Sequence, residues 1–253
     1  MATDTRTNVT KVPMNRMRKI ALAAGVLYLM TFVFSIPALG LYDNVLNNPD
    51  FVLGAGSDSG VLWGALFEIV MGLACIGTAV VLYPVAKRQS ETGALGFVTS
   101  RVLEASMIFV GIVSLLAAFT LRQDNAGADA TALVTAGQSL VAVHNWTFLL
   151  GPGLMPAVNA LCLGSVLYRS RLVPRVIPTL GLVGAPILVA SCVATLFGYV
   201  DQVSGIALLA ALPVAVWEFS LGIWLTFKGF TPSPVIDAPT TENAALAYQG
   251  VAA

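Results

Sequence analysis

Six long apolar stretches decide what this chain can fold into. They cover residues 20–41, 61–85, 95–121, 140–168, 177–199 and 206–227. A bilayer core of ~30 Å takes about 20 apolar residues of helix at ~1.5 Å each, and every stretch meets that length. None shows the alternation of a barrel strand. Helices therefore remain the way to satisfy the backbone inside lipid. The expectation is an all-α, six-transmembrane-helix bundle.

Composition agrees with that reading. Hydrophobic residues make up 57% of the 253 and charged residues 10%, too few charges to clothe a water-facing surface. Soluble domains carry ~25% charge. A soluble enzyme, a disordered chain and a disulfide scaffold are excluded on this ground. The net charge of +0 supplies no basic field for a nucleic acid. The partner that composition does imply is the lipid bilayer.

Lysine and arginine orient the spans. Arg6, Lys11, Arg16, Arg18, Lys19, Lys87, Arg88, Arg169, Arg171, Arg175 and Lys228 fall on one side of a six-span chain. The other side has Arg122 with Asp43, Asp50, Asp58, Asp124, Asp129 and Asp201. Both termini are expected in the cytoplasm, with the protein in a bacterial inner membrane. The first apolar run is longer than the ~7–15 residues of a signal peptide and no A-x-A site follows, so it reads as an uncleaved first helix. Residues 1–17 read as a flexible N-terminal segment, 18–230 as the membrane domain, and 231–253, with Pro232, Pro234 and Pro239, as a flexible tail.

Ionisable residues within a span cost several kcal/mol unless they face protein or water and find a partner. Glu68, Arg101, Glu104, His144 and Glu218 are of this kind. Arg101 and Glu104, three apart, share a helix face. Counting at ~1.5 Å per residue puts Arg101 roughly 9 Å, Glu104 roughly 14 Å and Glu218 roughly 15 Å from the cytoplasmic edge. The same count puts Glu68 roughly 12 Å and His144 roughly 7 Å from the outer edge. The expected seam has an outer Glu68–His144 pair and an inner Arg101–Glu104–Glu218 cluster. A seam of this kind either works on protons, a polar solute or a substrate, or simply neutralises its charges and locks helices together.

The fourth span adds Gly151, Pro152, Gly153 and Pro156, a helix-kink signal, and then Asn159, which needs a hydrogen-bond partner in lipid. The kink reads first as packing and second as a source of free carbonyls for a cavity. Phe67-Glu68-x-x-x-Gly72 in the second span matches Trp217-Glu218-x-x-x-Gly222 in the sixth, a short and weak sign of duplication. Cys75, Cys162 and Cys192 sit singly in three spans and read as small apolar residues. No nucleotide, zinc-protease or serine-hydrolase motif occurs. No cofactor and no metal site is expected, since a lone histidine lacks a second imidazole to complete one.

Several blocks together are similar to a known group. They are Arg18-Lys19-Ile20 with Gly25-Val26-Leu27-Tyr28-Leu29, Asn48-Pro49-Asp50-Phe51-Val52-Leu53-Gly54, Leu66-Phe67-Glu68, Tyr83-Pro84-Val85 and Ser100-Arg101-Val102-Leu103-Glu104. His144-Asn145-Trp146-Thr147-Phe148, Gly151-Pro152-Gly153, Asn159-Ala160-Leu161, Tyr168-Arg169-Ser170, Leu172-Val173-Pro174-Arg175, Trp217-Glu218-Phe219-Ser220-Leu221-Gly222 and Lys228-Gly229-Phe230 continue the series. On these blocks the chain resembles the bacterial multi-pass membrane family called domain of unknown function 4386. The resemblance spans Arg18 to Phe230 and implies a six-helix bacterial inner-membrane protein, with no reaction attached. Glu68, Arg101, Glu104, His144, Asn159 and Glu218 all fall inside its blocks.

Three functions follow as expectations. The first is a non-enzymatic sensor or partner-binding membrane subunit. The second is a transporter for a small solute or protons, with a wet cavity beside the kinked helix. The third is an intramembrane enzyme acting on lipid, with His144 and a carboxylate in hydrogen-bond reach. A small solute and a membrane-protein partner both stand as candidates, and the sequence carries no sign of oligomeric state.

Overall fold

The structure is a computed structural model that describes residues 14–54, 58–124 and 127–233. The described residues are helical with no strand. Six helices are long and apolar enough to cross a membrane. The first is α1 (Arg16–Leu41), followed outside the spans by a short α2 (Asp43–Asn47) and a 3-10 turn at Phe51–Leu53. Then come α3 (Ser59–Ala86) and α4 (Glu91–Gln123). The fourth span is a composite run, Ala130–Ser170. It contains α5 (Ala130–Phe148), α6 (Met155–Asn159) and α7 (Ser165–Ser170). α8 (Val176–Leu196) and α9 (Gly205–Phe227) complete the set.

Small polar residues set where the helices begin. Asn15, Asp58, Ser90, Asp129 and Ser204 each accept a backbone N–H from the first turn of the helix that follows. The Asp129 cap starts the fourth span ten residues before the apolar stretch begins, because its first turns carry Thr131, Thr135 and Gln138. Arg171 ends α7 with φ at 56°, a left-handed position that glycine usually takes.

Consecutive spans are neighbours, and the last returns to the first. α1 packs on α3, α3 on α4, α4 on the composite span, that span on α8, α8 on α9, and α9 on α1. Glycine makes the closing contact tight. A Cβ on Gly25 would collide with Thr226 and the Gly222 carbonyl of α9. Arg18 seals the same junction, donating to Leu225 O at 2.8 Å and Thr226 O at 2.6 Å. A cation on the last carbonyls of a helix is favoured by both hydrogen bonding and the helix dipole.

The described parts of the ends and the first outer loop carry their own contacts. Residues 1–13 and 234–253 lie outside the described residues. Of the expected flexible ends, Arg16 and Met17 are already helical. At the other end Thr231 N donates to Leu172 O at 2.8 Å, and buried Ser233 donates to Ser170 O at 2.6 Å. These two bonds fasten the chain over the α7–α8 turn. The first outer loop packs through its described residues. Tyr42, Val45, Phe51 and Val52 are buried in a core with Leu115, Ala118 and Phe119 of α4. Arg122 holds this loop, donating to Phe51 O at 2.6 Å with its guanidinium 4.7 Å from the Phe51 ring centre.

Candidate functional site

The inner layer gathers on Arg101 of α4, which is 1% exposed. Its Nη1 donates to Glu104 Oε2 at 3.1 Å, one turn along the same helix. Its Nη2 donates to Glu218 Oε1 of α9 at 2.5 Å. Asn159 of α6 donates to the same Glu104 oxygen at 2.8 Å, and the Ser100 hydroxyl donates to Asn159 Oδ1. Cys75 of α3 accepts from Nη1 at 3.7 Å, so it does more than fill space. The Tyr28 ring of α1 covers the guanidinium at 4.9 Å and Phe97 at 5.8 Å. One cation thus touches α1, α3 and α9 directly, and the composite span through Glu104. Counting from helix ends puts all of these residues but Phe97 within a band ~14–20 Å from the basic ends of their helices, one layer across the bundle.

The geometry of the fourth span serves this layer. The helix is not simply bent at Gly151, Pro152, Gly153 and Pro156. It widens into a π turn at Leu149–Gly153 and again at Ala160–Gly164. Pro152 sits inside the first π turn and Pro156 in the first turn of α6, where its missing N–H does least harm. Gly151 lies against Met107 and the Glu104 carbonyl, leaving no room for a side chain. Asn159 closes the helical turn between the two π turns and faces Glu104. Such turns re-aim a side chain and are frequent at functional positions.

The outer layer differs from the expected pair. Glu68 of α3 takes its hydrogen bond from Tyr42, Oη to Oε2 at 3.1 Å, and not from His144. The His144 ring meets Tyr42 edge-on, with centres 5.7 Å apart, and its Nδ1 lies 3.5 Å from Asn145 Oδ1. Burial, and then the Glu68 carboxylate, push the Tyr42 phenol far above its usual range, so it is held as the O–H donor. Gly64, one turn before Glu68, makes the arrangement fit: a Cβ there would overlap the Tyr42 ring. His144 rests on Gly111 of α4, and its helix begins at Ala130, ahead of the apolar stretch.

The two layers are separated. Glu68 and Cys75 are seven residues apart on α3, about 10 Å of rise. Met71 lies between them on α3, buried in one apolar cluster with Ala105, Ile108 and Ile112 of α4. The three carboxylates Glu68, Glu104 and Glu218 therefore do not share a pocket. No group of three His, Cys, Asp or Glu side chains is placed to hold a metal among the described residues. The matching motifs around Glu68 and Glu218 also diverge. Gly72 lies against Phe109, whereas Gly222 lies against Leu29 and Tyr28.

Sequence reasoning missed Tyr42, Ser100 and Tyr28. Tyr42 follows the first apolar run, at the start of the polar stretch after it; the glycine four positions before Glu68 was the available signal. Ser100 precedes Arg101 and carried none beyond its position in the span.

No curated protein and no solved structure matches the chain. A family model does, across residues 23–229, which takes in both polar layers. With six apolar helices around those layers, the chain belongs to the family described as domain of unknown function DUF4386, and is a multi-pass membrane protein.

Proposed function

We propose that this protein is a non-enzymatic, partner-binding membrane subunit whose inner charges lock its helices rather than process a substrate. The observation that carries the reading is the engagement of Arg101 by both Glu104 and Glu218, with Asn159 on Glu104, all of them buried. A buried ion pair is weak support for stability but a sound device for fixing which surfaces meet. The apolar layer of Met71, Ala105, Ile108 and Ile112 also weighs against a proton relay joining the outer and inner carboxylates. For an intramembrane enzyme, the Tyr42 ring between Glu68 and His144 weighs against an acid–base pair.

A docking surface is available for a partner. From Val193 through Pro213, the outer ends of α8 and α9 and their loop, no residue is buried. Tyr199 is 83% and Val203 92% exposed. The partner proposed for this surface is another membrane helix. Orientation belongs to the same proposal. Arg16, Arg18, Lys19, Lys87, Arg88, Arg169, Arg171, Arg175 and Lys228 crowd one end, which supports cytoplasmic termini in a bacterial inner membrane.

The test is complementation of a deletion strain by R101M/E104Q/E218L, in which glutamine keeps an acceptor for Asn159. The expected result is rescue equal to wild type. Wild-type membrane levels without rescue would give the seam a chemical task and favour the second reading, a solute or proton transporter. That reading draws on the two π turns beside Glu104.

A further inference from the structure

A hollow of about 180 Å³ lies between the first outer loop and the start of the fourth span. At ~30 Å³ per molecule of liquid water, that is the room of about six waters. Phe51, Val52 and Val141 form its apolar side, and three carboxamides, Asn48, Gln138 and Asn145, its polar side. Among the described residues no charged side chain lines it. The composite span is 41 residues long, about 60 Å of helix against a hydrocarbon core of ~30 Å. Asn145 and Gln138 lie about 37 and 48 Å along it from Ser170, so the hollow sits at and beyond the outer edge of the hydrocarbon, within reach of water. Packing keeps it open. Phe51 and Val52 are buried in one core with Leu115 and Ala118 of α4, and a Cβ on Gly137 of α5 would collide with Val52.

The three carboxamides differ in how much of their hydrogen bonding the fold already uses. Asn48 is engaged within its own turn, its Oδ1 accepting from Asp50 N at 3.1 Å and its Nδ2 donating to Asn44 Oδ1 at 3.4 Å. Asn145 turns Oδ1 to His144 Nδ1 at 3.5 Å, which leaves its Nδ2 to donate elsewhere. The Gln138 carboxamide is exposed and makes no hydrogen bond with the described residues.

The geometry points to a binding site for a small uncharged solute that joins a peptide-type amide to a short aliphatic group. An apolar wall with a few placed polar groups is the usual make-up of a ligand site. The aliphatic group meets Phe51, Val52 and Val141. The amide carbonyl accepts from Asn145 Nδ2, and the Gln138 carboxamide, a donor and an acceptor side by side, is answered by the matching pair on the amide. An ion is disfavoured, because it leaves water for an apolar wall with no counter-charge. The volume limits the occupant to about the size of one amino-acid residue. Through Asn145 the site adjoins His144 and, beyond it, the Tyr42 ring of the outer layer. It stands apart from the Arg101 cluster, so its failure would leave the helix-locking role of those charges untouched.

The experiment titrates the full chain in lipid nanodiscs with N-acetyl-leucine amide, read by saturation-transfer NMR with empty nanodiscs subtracted. The expected result is saturable transfer to the probe, with free leucine, a zwitterion bearing the same side chain, binding at least about tenfold more weakly. Q138A removes a side chain that the fold does not use, so its melting temperature should match wild type while the probe binds about fivefold more weakly, the size of one hydrogen bond. A142L, at an exposed position of α5 that lines the hollow, should fill it and abolish saturation. Transfer that never saturates, leucine binding as well as the blocked amide, or binding unchanged in Q138A or in A142L would overturn the proposal.

Discussion

The two buried layers use the same residue, glutamate, in opposite ways. In the inner layer Glu104 and Glu218 converge on one guanidinium, and the group ties α4 to α9, α1, α3 and the composite span. In the outer layer Glu68 meets no cation among the described residues and takes a hydrogen bond from Tyr42. The difference teaches that a glutamate in a span does not by itself signal either catalysis or structure. Its partners decide. Where charge meets charge across helices, removing one member strands the other. Where a neutral donor meets the carboxylate, an amide serves almost as well.

Substitutions break or sharpen this contrast in a graded way. The largest effect is expected from Arg101→Met, which leaves two buried carboxylates without their cation. Loss of one partner of a buried pair costs about 3–5 kcal/mol, and the amount of membrane-inserted protein should fall severalfold. Asn159→Ala comes next, because it removes a donor to Glu104 and the acceptor of Ser100 together. Leaving buried polar groups unsatisfied costs about 1–3 kcal/mol, which a melting curve in detergent would register. Gly64→Ala attacks the outer layer through packing. It drives a methyl into the Tyr42 ring, with an expected loss of about 1–2 kcal/mol, within the usual range for overpacking. The smallest effect belongs to Glu68→Gln. The amide oxygen still accepts from Tyr42, so the change should stay within ~1 kcal/mol, measured on the same melting curves. An inner Glu218→Gln that proved equally mild would erase the contrast.

Much of this was legible in advance, for reasons that individual residues make plain. The six spans follow from the length of the apolar runs, since lipid leaves a backbone few alternatives. Depth counting placed Arg101, Glu104 and Glu218 in one layer because a helix rises regularly along its axis. The start of the helix that carries His144 was not legible in the same way. That helix begins with polar turns after Asp129, and an apolar search starts too late. Tyr42 was hidden because its role depends on the small surface of Gly64 on another helix. The first π turn carried a Gly-Pro-Gly signal, although not its form. The second, Ala160–Gly164, lacks proline and is set by packing against α4 and α8, which local sequence does not reveal.

The central claim is that Glu104 and Glu218 are present to be neutralised by Arg101. Thermal unfolding of wild type, R101M and R101M/E104Q/E218Q, reconstituted identically, tests it most directly. The account predicts a melting temperature well below wild type for the single variant, and recovery of most of that loss in the triple. An unchanged melting temperature in R101M, or no gain from removing the two stranded acids, would contradict it.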